Sequence, residues 1–527
     1  MKKIYMTAVL ILALLQLSCS KSFLDDKKSI NKKVESDFYK TPEDAFQALV
    51  AAYSMLDVSG NGNIMLSAEL ASDDCFGGGG TADDGVIQWD RFQSYNDHNA
   101  DAWKKYYQGI YRANQFLKKV DGVDFSTEPD LKKQYTGEAK FLRAYFYFDL
   151  VRMFGHIPLL TEPIEGDNYQ IPQASPDSVY ALISRDLQEA ITALTPSAVP
   201  YSQIASEDYG RATKWAAESL LGRVFLYYTG YYSKATLPGG YTKDNATAAI
   251  DDVIKNSGYG LVQHFKDLWR AASLNDFAGQ NNKEAVFAIQ YSGAGMGNWD
   301  LQNGNRFQVM IGIRNQVVGP YYKGWGFGPV NPGLWNDYKD GDTRKTATII
   351  SIDGEGLSGS YSVSDQAQYT GYFWKKYQPV GGPDRPDANG GDFQIDNYDN
   401  YVVIRFADVL LMGAELNLDK NLSKAQGYLN QVRDRAFEDA SHRVTLTAGA
   451  AGLKTIMEER RLELALEGQR YWDLLRQGMT VAKAAIDNTI GGADFLVNFP
   501  TETKGLFEIP QTQIGLSNGT LVQNPGY

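Results

Sequence analysis

From Glu138 to Phe154 apolar and aromatic residues fall on almost every side of a 3.6-residue turn: Phe141, Leu142, Tyr145, Phe146, Phe148, Leu150 and Met153. A helix with one wet face would show a stripe, so this one reads as buried on both faces. Gly155 and then Pro158 stop it. A helix wrapped all round belongs inside a helical assembly, and the rest of the chain supplies the wrapping. Apolar stripes predict helices over 42–56 (Ala45, Leu49, Ala52, Leu56), 103–120, 213–228, 406–418, 424–436 and 453–475. Another starts at Ser175-Pro176-Asp177, a cap followed by proline in the first turn. Small residues such as Ala216 and Gly222 on the stripes suggest stacked αα-hairpins, without the constant period of a regular solenoid. With 527 residues the chain exceeds the roughly 250–300 at which one core stops growing. The expectation is a mostly α fold, helical hairpins forming a frame.

A different composition interrupts the frame at roughly 270–400. Between 291 and 340 there are ten glycines, six asparagines and three tryptophans, Trp299, Trp325 and Trp335, which predicts turns and irregular backbone. Residues 284–291 read as an isolated short strand. The frame therefore carries a loop-rich lobe containing short strands, a common way to present a binding site.

The N-terminus reads as an export signal. Lys2 and Lys3 precede a largely apolar stretch of 12 residues, Met6 to Leu17, too short for a membrane span of about 20. Leu17-Ser18-Cys19 resembles a bacterial lipobox, with Gln16 where the pattern carries Leu. On that resemblance residues 1–18 are removed and Cys19 is lipidated, which leaves Cys75 as a small semi-buried residue without a disulfide partner.

Several chemistries are missing. No Gly-x-Ser-x-Gly, Walker loop or His-Glu-x-x-His occurs, and the four histidines lie at least 58 residues apart. Gly77 to Gly80 reads as a flexible loop. Asp387 to Asp392 lacks the twelfth-position glutamate of an EF-hand, where Tyr398 stands. No catalytic residue, metal site or cofactor is assigned. The net charge of −12 argues against nucleic acid.

The chain does offer aromatic surface on non-helical sequence. Sugar rings have apolar faces that a Trp or Tyr covers, and polar edges that Asp, Asn and Arg bond. The candidate ligand residues are Trp299, Tyr321, Trp325 and Trp335 in the insert, with Asp73, Asp74, Trp89 and Asn96 as a second wall. Trp103, Trp215 and Trp472 lie in helical stripes and read as core.

Several segments together resemble the SusD/RagB family of outer-membrane lipoproteins of Bacteroidetes. They are Cys19 to Asp25, Gly137 to Tyr145 with Phe154 to Pro158, Gly210 to Thr213, Arg405 to Leu411 with Glu415, Asn430 to Arg433, Arg460 to Leu474, and Gln523 to Tyr527. The resemblance implies tetratricopeptide-like hairpins, no catalysis, and a SusC-like TonB-dependent transporter as partner. It divides the mature chain into a SusD-like N-terminal region, 19–230, and a RagB/SusD C-terminal region, 231–527. It also implies a lipid-anchored outer-membrane protein facing the cell exterior, one that binds a glycan ligand and hands it over for import. Peptide binding on the same frame and a helical glycoside hydrolase are the alternatives. Within the motifs, Arg143, Arg405, Asp408, Glu463, Arg470 and Asp473 read as buried polar ties between helices.

Overall fold

A computed structural model gives the fold, describing residues 38–57, 64–95, 97–166, 169–293, 297–299, 303–383, 385–488 and 491–527. The export signal, Cys19 and Asn96 lie outside the described residues.

The protein is mostly helical. The frame helices are α1 Pro42–Tyr53, α2 Ala100–Lys119, α3 Pro129–Phe154, α4 Pro176–Leu194, α5 Lys214–Tyr231, α6 Lys243–Asn256, α7 Phe406–Asn417, α8 Leu422–Phe437, α9 Ala450–Leu464 and α10 Arg470–Leu475. Their starts follow local chemistry. The side chains of Thr41, Ser175, Thr213 and Thr242 each accept a backbone N–H three residues on, satisfying a donor the helix itself cannot. Each helix packs on the next, α2 on α3, α3 on α4, α4 on α5 and α5 on α6. The stack then jumps over residues 257–405, because α6 packs on α7, and α7 packs on α8 and α9. Every residue of α3 from Phe141 onward is buried, including Arg143, Asp149 and Arg152, which ion pairs hold inside. Gly155 ends it at φ 68°, where Leu506 Cδ1 would stand 2.8 Å from any added Cβ.

Three readings of the sequence need correcting. The helix expected over 453–475 breaks between Leu464 and Arg470, where Leu466 and Gly468 take φ of 62° and 76°. Helix α6 was not foreseen. The strand at Ala285–Ile289 (β1) is not isolated, because it pairs antiparallel with Tyr401–Arg405 (β2) through a bulge at Phe287. This clasp closes the lobe at its base.

The polar ties join the frame together. Arg143 on α3 donates through Nε and Nη2 to both oxygens of Asp186 on α4, at 2.7 and 2.8 Å. Asp408 on α7 accepts from Arg223 and Arg460, both at 2.6 Å. Glu463 on α9 accepts from Arg435 at 2.5 Å, Arg405 at 2.9 Å and Arg344 at 3.2 Å. Burial alone would raise its pKa, but the three guanidinium groups hold it down at about 2. Lys376 in the same cluster is lowered to about 8 by burial, against the pull of Glu467.

Candidate functional site

The glycine run expected to be a flexible loop is instead a packed seam. Gly79 N donates to Gly326 O at 2.8 Å and Gly328 N to Gly77 O at 3.0 Å. Gly78 has φ 72°, and Pro329 Cδ would lie 2.2 Å from an added Cβ. At Gly80 the Arg314 guanidinium occupies that space, 1.9 Å from where a Cβ would be. The seam brings residues 77–90 against 314–330, two segments some 240 residues apart.

Next to the seam, Trp325 follows the two-residue strand Lys323–Gly324, and its N–H bonds Val309 O at 2.7 Å on the short helix Phe307–Ile311. Its half-buried ring lies 5.7 Å from that of Phe327, and its Nε1 donates to Gln394 Oε1 at 3.3 Å. Trp299 sits at the other end of that helix, 48% exposed, with the Arg306 guanidinium 5.1 Å over its ring. Arg306 Nη2 also donates to Trp299 O at 2.7 Å. The 392–396 turn touches both neighbourhoods, since Asp396 accepts from Gly297 N at 2.8 Å while Gln394 holds Trp325. The 392–396 turn thus forms one ledge that holds Trp325 directly and, through Gly297, the segment carrying Trp299. Lys323 shares that ledge, its ammonium 4.2 Å from the centre of the Phe393 ring. Tyr322 Oη donates to Asp387 Oδ2 at 2.6 Å, with Arg385 stacked 5.5 Å over its ring.

The other sequence candidates lie elsewhere. Trp335 is half-buried on a separate part of the surface, stacked on Tyr372 at 5.1 Å with Lys345 4.4 Å over its ring. Asp73 and Asp74 neighbour Trp335 through Arg461, which pairs with Asp73, Asp74 and Asp337. Asp73 also takes a two-point contact from Arg470 at 2.7 and 2.9 Å. Burial would raise Asp73, but Arg470 and Arg461 hold it down at about 2, whereas burial outweighs Arg461 and pushes Asp74 up. Asp74 has no exposed side-chain surface, so its carboxylate serves as an internal tie. Trp89 is interior as well, its Nε1 bonded to Ser67 O at 3.1 Å and its ring packed on His98 and Phe507. Tyr321 is 2% exposed and gives its hydroxyl to Glu355 at 2.5 Å, which together with burial raises its pKa. A ring enclosed on both faces has no surface to offer a ligand. Sequence reasoning did not single out Gln394, Phe393, Lys323 or Arg306. The nearness of Lys323 to Trp325 in sequence, two positions apart, was the available signal for Lys323.

Chemically the ledge offers indole faces, amide groups and cations. Among the described residues no group of three His, Cys, Asp or Glu could hold a metal ion, and no helix is long and apolar enough to cross a membrane.

Comparison with known proteins places the chain. Residues 350–527 match the SusD family, and residues 22–226 match the family described as starch-binding associating with outer membrane. A laminarin binding SusD-like protein of solved structure is 31% identical, with a TM-score of 0.77 over 93% of this chain and 100% of that one. Surface glycan-binding protein A from Bacteroides fluxus is 27% identical at the same TM-score and the same coverage. A SusD-like protein of Bacteroides ovatus is 27% identical over 88% of this chain and 80% of its own length. With identity and fold agreeing from the first helix to the last, the chain belongs to the SusD family, a non-catalytic family of binding proteins.

Proposed function

We propose that this protein binds an oligo- or polysaccharide at the cell surface without cleaving it, and delivers it to a SusC-like TonB-dependent transporter in the outer membrane. The observation that carries the reading is the pair of tryptophans flanking the Phe307–Ile311 helix. Trp299 is substantially exposed with the Arg306 guanidinium over its ring, and Trp325, half-buried against the core, gives its indole N–H to Gln394. Rigid rings bind at low entropic cost, and polar neighbours select among hydroxyl patterns. Ligand contact is placed on Trp299 and Trp325, with Trp335 a separate outpost. Asp73, Asp74, Trp89 and Tyr321 are assigned to internal packing. A laminarin-binding relative makes glucans of that kind the first ligands to try. Cys19, as the lipidated residue, would tether the protein to the outer membrane.

The test is titration calorimetry of the chain from residue 20 onward against laminarin, other polysaccharides and short peptides. Saturable heat with a glycan, with no product formed, is expected. Heat from peptides alone would overturn the glycan reading, and hydrolysis lost on replacing an Asp or Glu would overturn the non-catalytic one.

A further inference from the structure

A cleft of about 500 Å³ opens beside the tryptophan ledge, within the 300–1,000 Å³ range usual for ligand sites. One wall is apolar and exposed, with Leu274 at 47% and Val317 at 54% accessibility, next to Pro320. The opposing polar groups are Arg270, Asn397 and Asp399. Arg270 lies between the rings of Phe277 and Tyr398, 4.9 and 5.3 Å from their centres, and its Nε donates to Asp399 Oδ1 at 3.1 Å. A guanidinium stacked on two aromatic faces and anchored by a carboxylate is already ordered, so a ligand meeting it would lose little further side-chain freedom.

The cleft and the ledge share their supports. Gln308 lines the cleft, while its neighbour Val309 accepts the N–H of Trp325. Arg385, also in the cleft wall, stacks on Tyr322, whose ring lies 6.0 Å from that of Phe393 on the ledge. Most directly, Asn397 lines the cleft and its Nδ2 bonds Phe393 O at 2.7 Å, while Gln394 accepts from the Trp325 indole. Gln394 and Asn397 are three positions apart in the chain, so their Cα atoms are no more than about 11 Å apart even in extended chain. A few linked sugars span such a distance.

From this juxtaposition, and resting on the glycan reading above, we infer that the cleft is a second carbohydrate subsite. It takes the sugars of a longer chain beyond those stacked on Trp325. Val317 and Pro320 would face a sugar's apolar side, and Arg270 and Asn397 its hydroxyl edge.

The experiment compares oligosaccharides of three and six sugars released from laminarin, titrated into the full chain and into Trp325→Ala, Val317→Trp and Asn275→Trp. The last two fill the cleft from exposed positions on its wall. Either of them should cut hexasaccharide affinity about tenfold and leave trisaccharide affinity unchanged, while Trp325→Ala weakens both. Should one cleft-filling variant not fold, the other gives the same readout. Unchanged hexasaccharide affinity in a folded cleft-filled variant, with Trp325→Ala still impaired, would remove the subsite and leave the proposed function standing. Absence of binding by the unaltered chain, to these and every other glycan tried, would remove both.

Discussion

Arg405 Nη1 lies 2.9 Å from Glu463 Oε1 in the protein interior. Arg405 ends the strand at the foot of the lobe and Glu463 stands in the last turn of α9, so the contact ties lobe to frame. Arg344 and Arg435 converge on the same carboxylate, which makes Glu463 the common anion of three elements. Such a cluster stabilises only while complete, because each buried charge depends on its partners for the solvation it has lost.

Glu463→Gln should therefore destabilise the fold by about 3–5 kcal/mol, since three buried guanidinium groups lose their shared counter-charge. Chemical denaturation read by tryptophan fluorescence measures this. A loss below 1 kcal/mol would show that neighbours such as Glu459 and Glu284 suffice.

Arg470→Ala should lower stability and spare ligand affinity. Its two contacts fall on Asp73, which keeps Arg461 at 3.1 Å, so the cost should be smaller, about 2 kcal/mol. Thermal melting paired with glycan titration separates the two effects. A mutant as stable as its parent but unable to bind would move Asp73 and Arg470 into the ligand site.

Trp325→Ala should weaken glycan binding by roughly 10- to 100-fold with an unchanged circular dichroism spectrum, as expected for a ring at the centre of a contact. Trp299→Ala should act in the same direction. Undiminished affinity in both would place the ligand elsewhere, with Trp335 next to be replaced.

Asp90 should make the fold less stable as pH rises. Burial raises its carboxyl from the ordinary 3.8 to about 7, against hydrogen bonds from Gln368 and Gly77 at 3.3 Å. The folded state thus holds a proton that the unfolded chain releases. Its stabilising effect is complete below about pH 4 and is lost as pH rises toward 7. Asp90→Asn removes that proton, so its stability should fall less across pH 4–7 than that of the parent, by up to about 4 kcal/mol. Parallel pH profiles would show that Asp90 is ionised in the fold.

Cys19→Ala should release the protein from the membrane fraction into the soluble one. Cell fractionation reads this directly, and retention at the membrane would require another anchor.

The frame was legible because its signals are local. Thr41, Ser175 and Thr213 mark helix starts from within four residues, and the aromatic-rich run to Phe154, apolar on every side, declares its own burial. The break at Leu466 was not legible, since a non-glycine residue at φ 62° is held there by tertiary packing and leaves no sign in its own identity. Helix α6 was missed because its buried stripe, Ala246, Ile250 and Val253, is short and set among polar residues. The candidate site was legible as a list of aromatic residues but not as an arrangement. Burial of Tyr321 depends on Glu355 and on strands that pair only in the folded chain, and the separation of Trp335 from Trp325 follows from contacts hundreds of residues long.

The β1–β2 clasp makes the 111 residues from 290 to 400 a closed excursion that leaves and rejoins the helical stack at one point. Closing a loop costs free energy only with the logarithm of its length, about 0.6 kcal/mol for each doubling. The spine is therefore nearly indifferent to how large its head is. Like a tool holder with one fitting, the same stack can carry heads of different size and chemistry, provided each keeps a strand to pair with and an arginine to seat on Glu463.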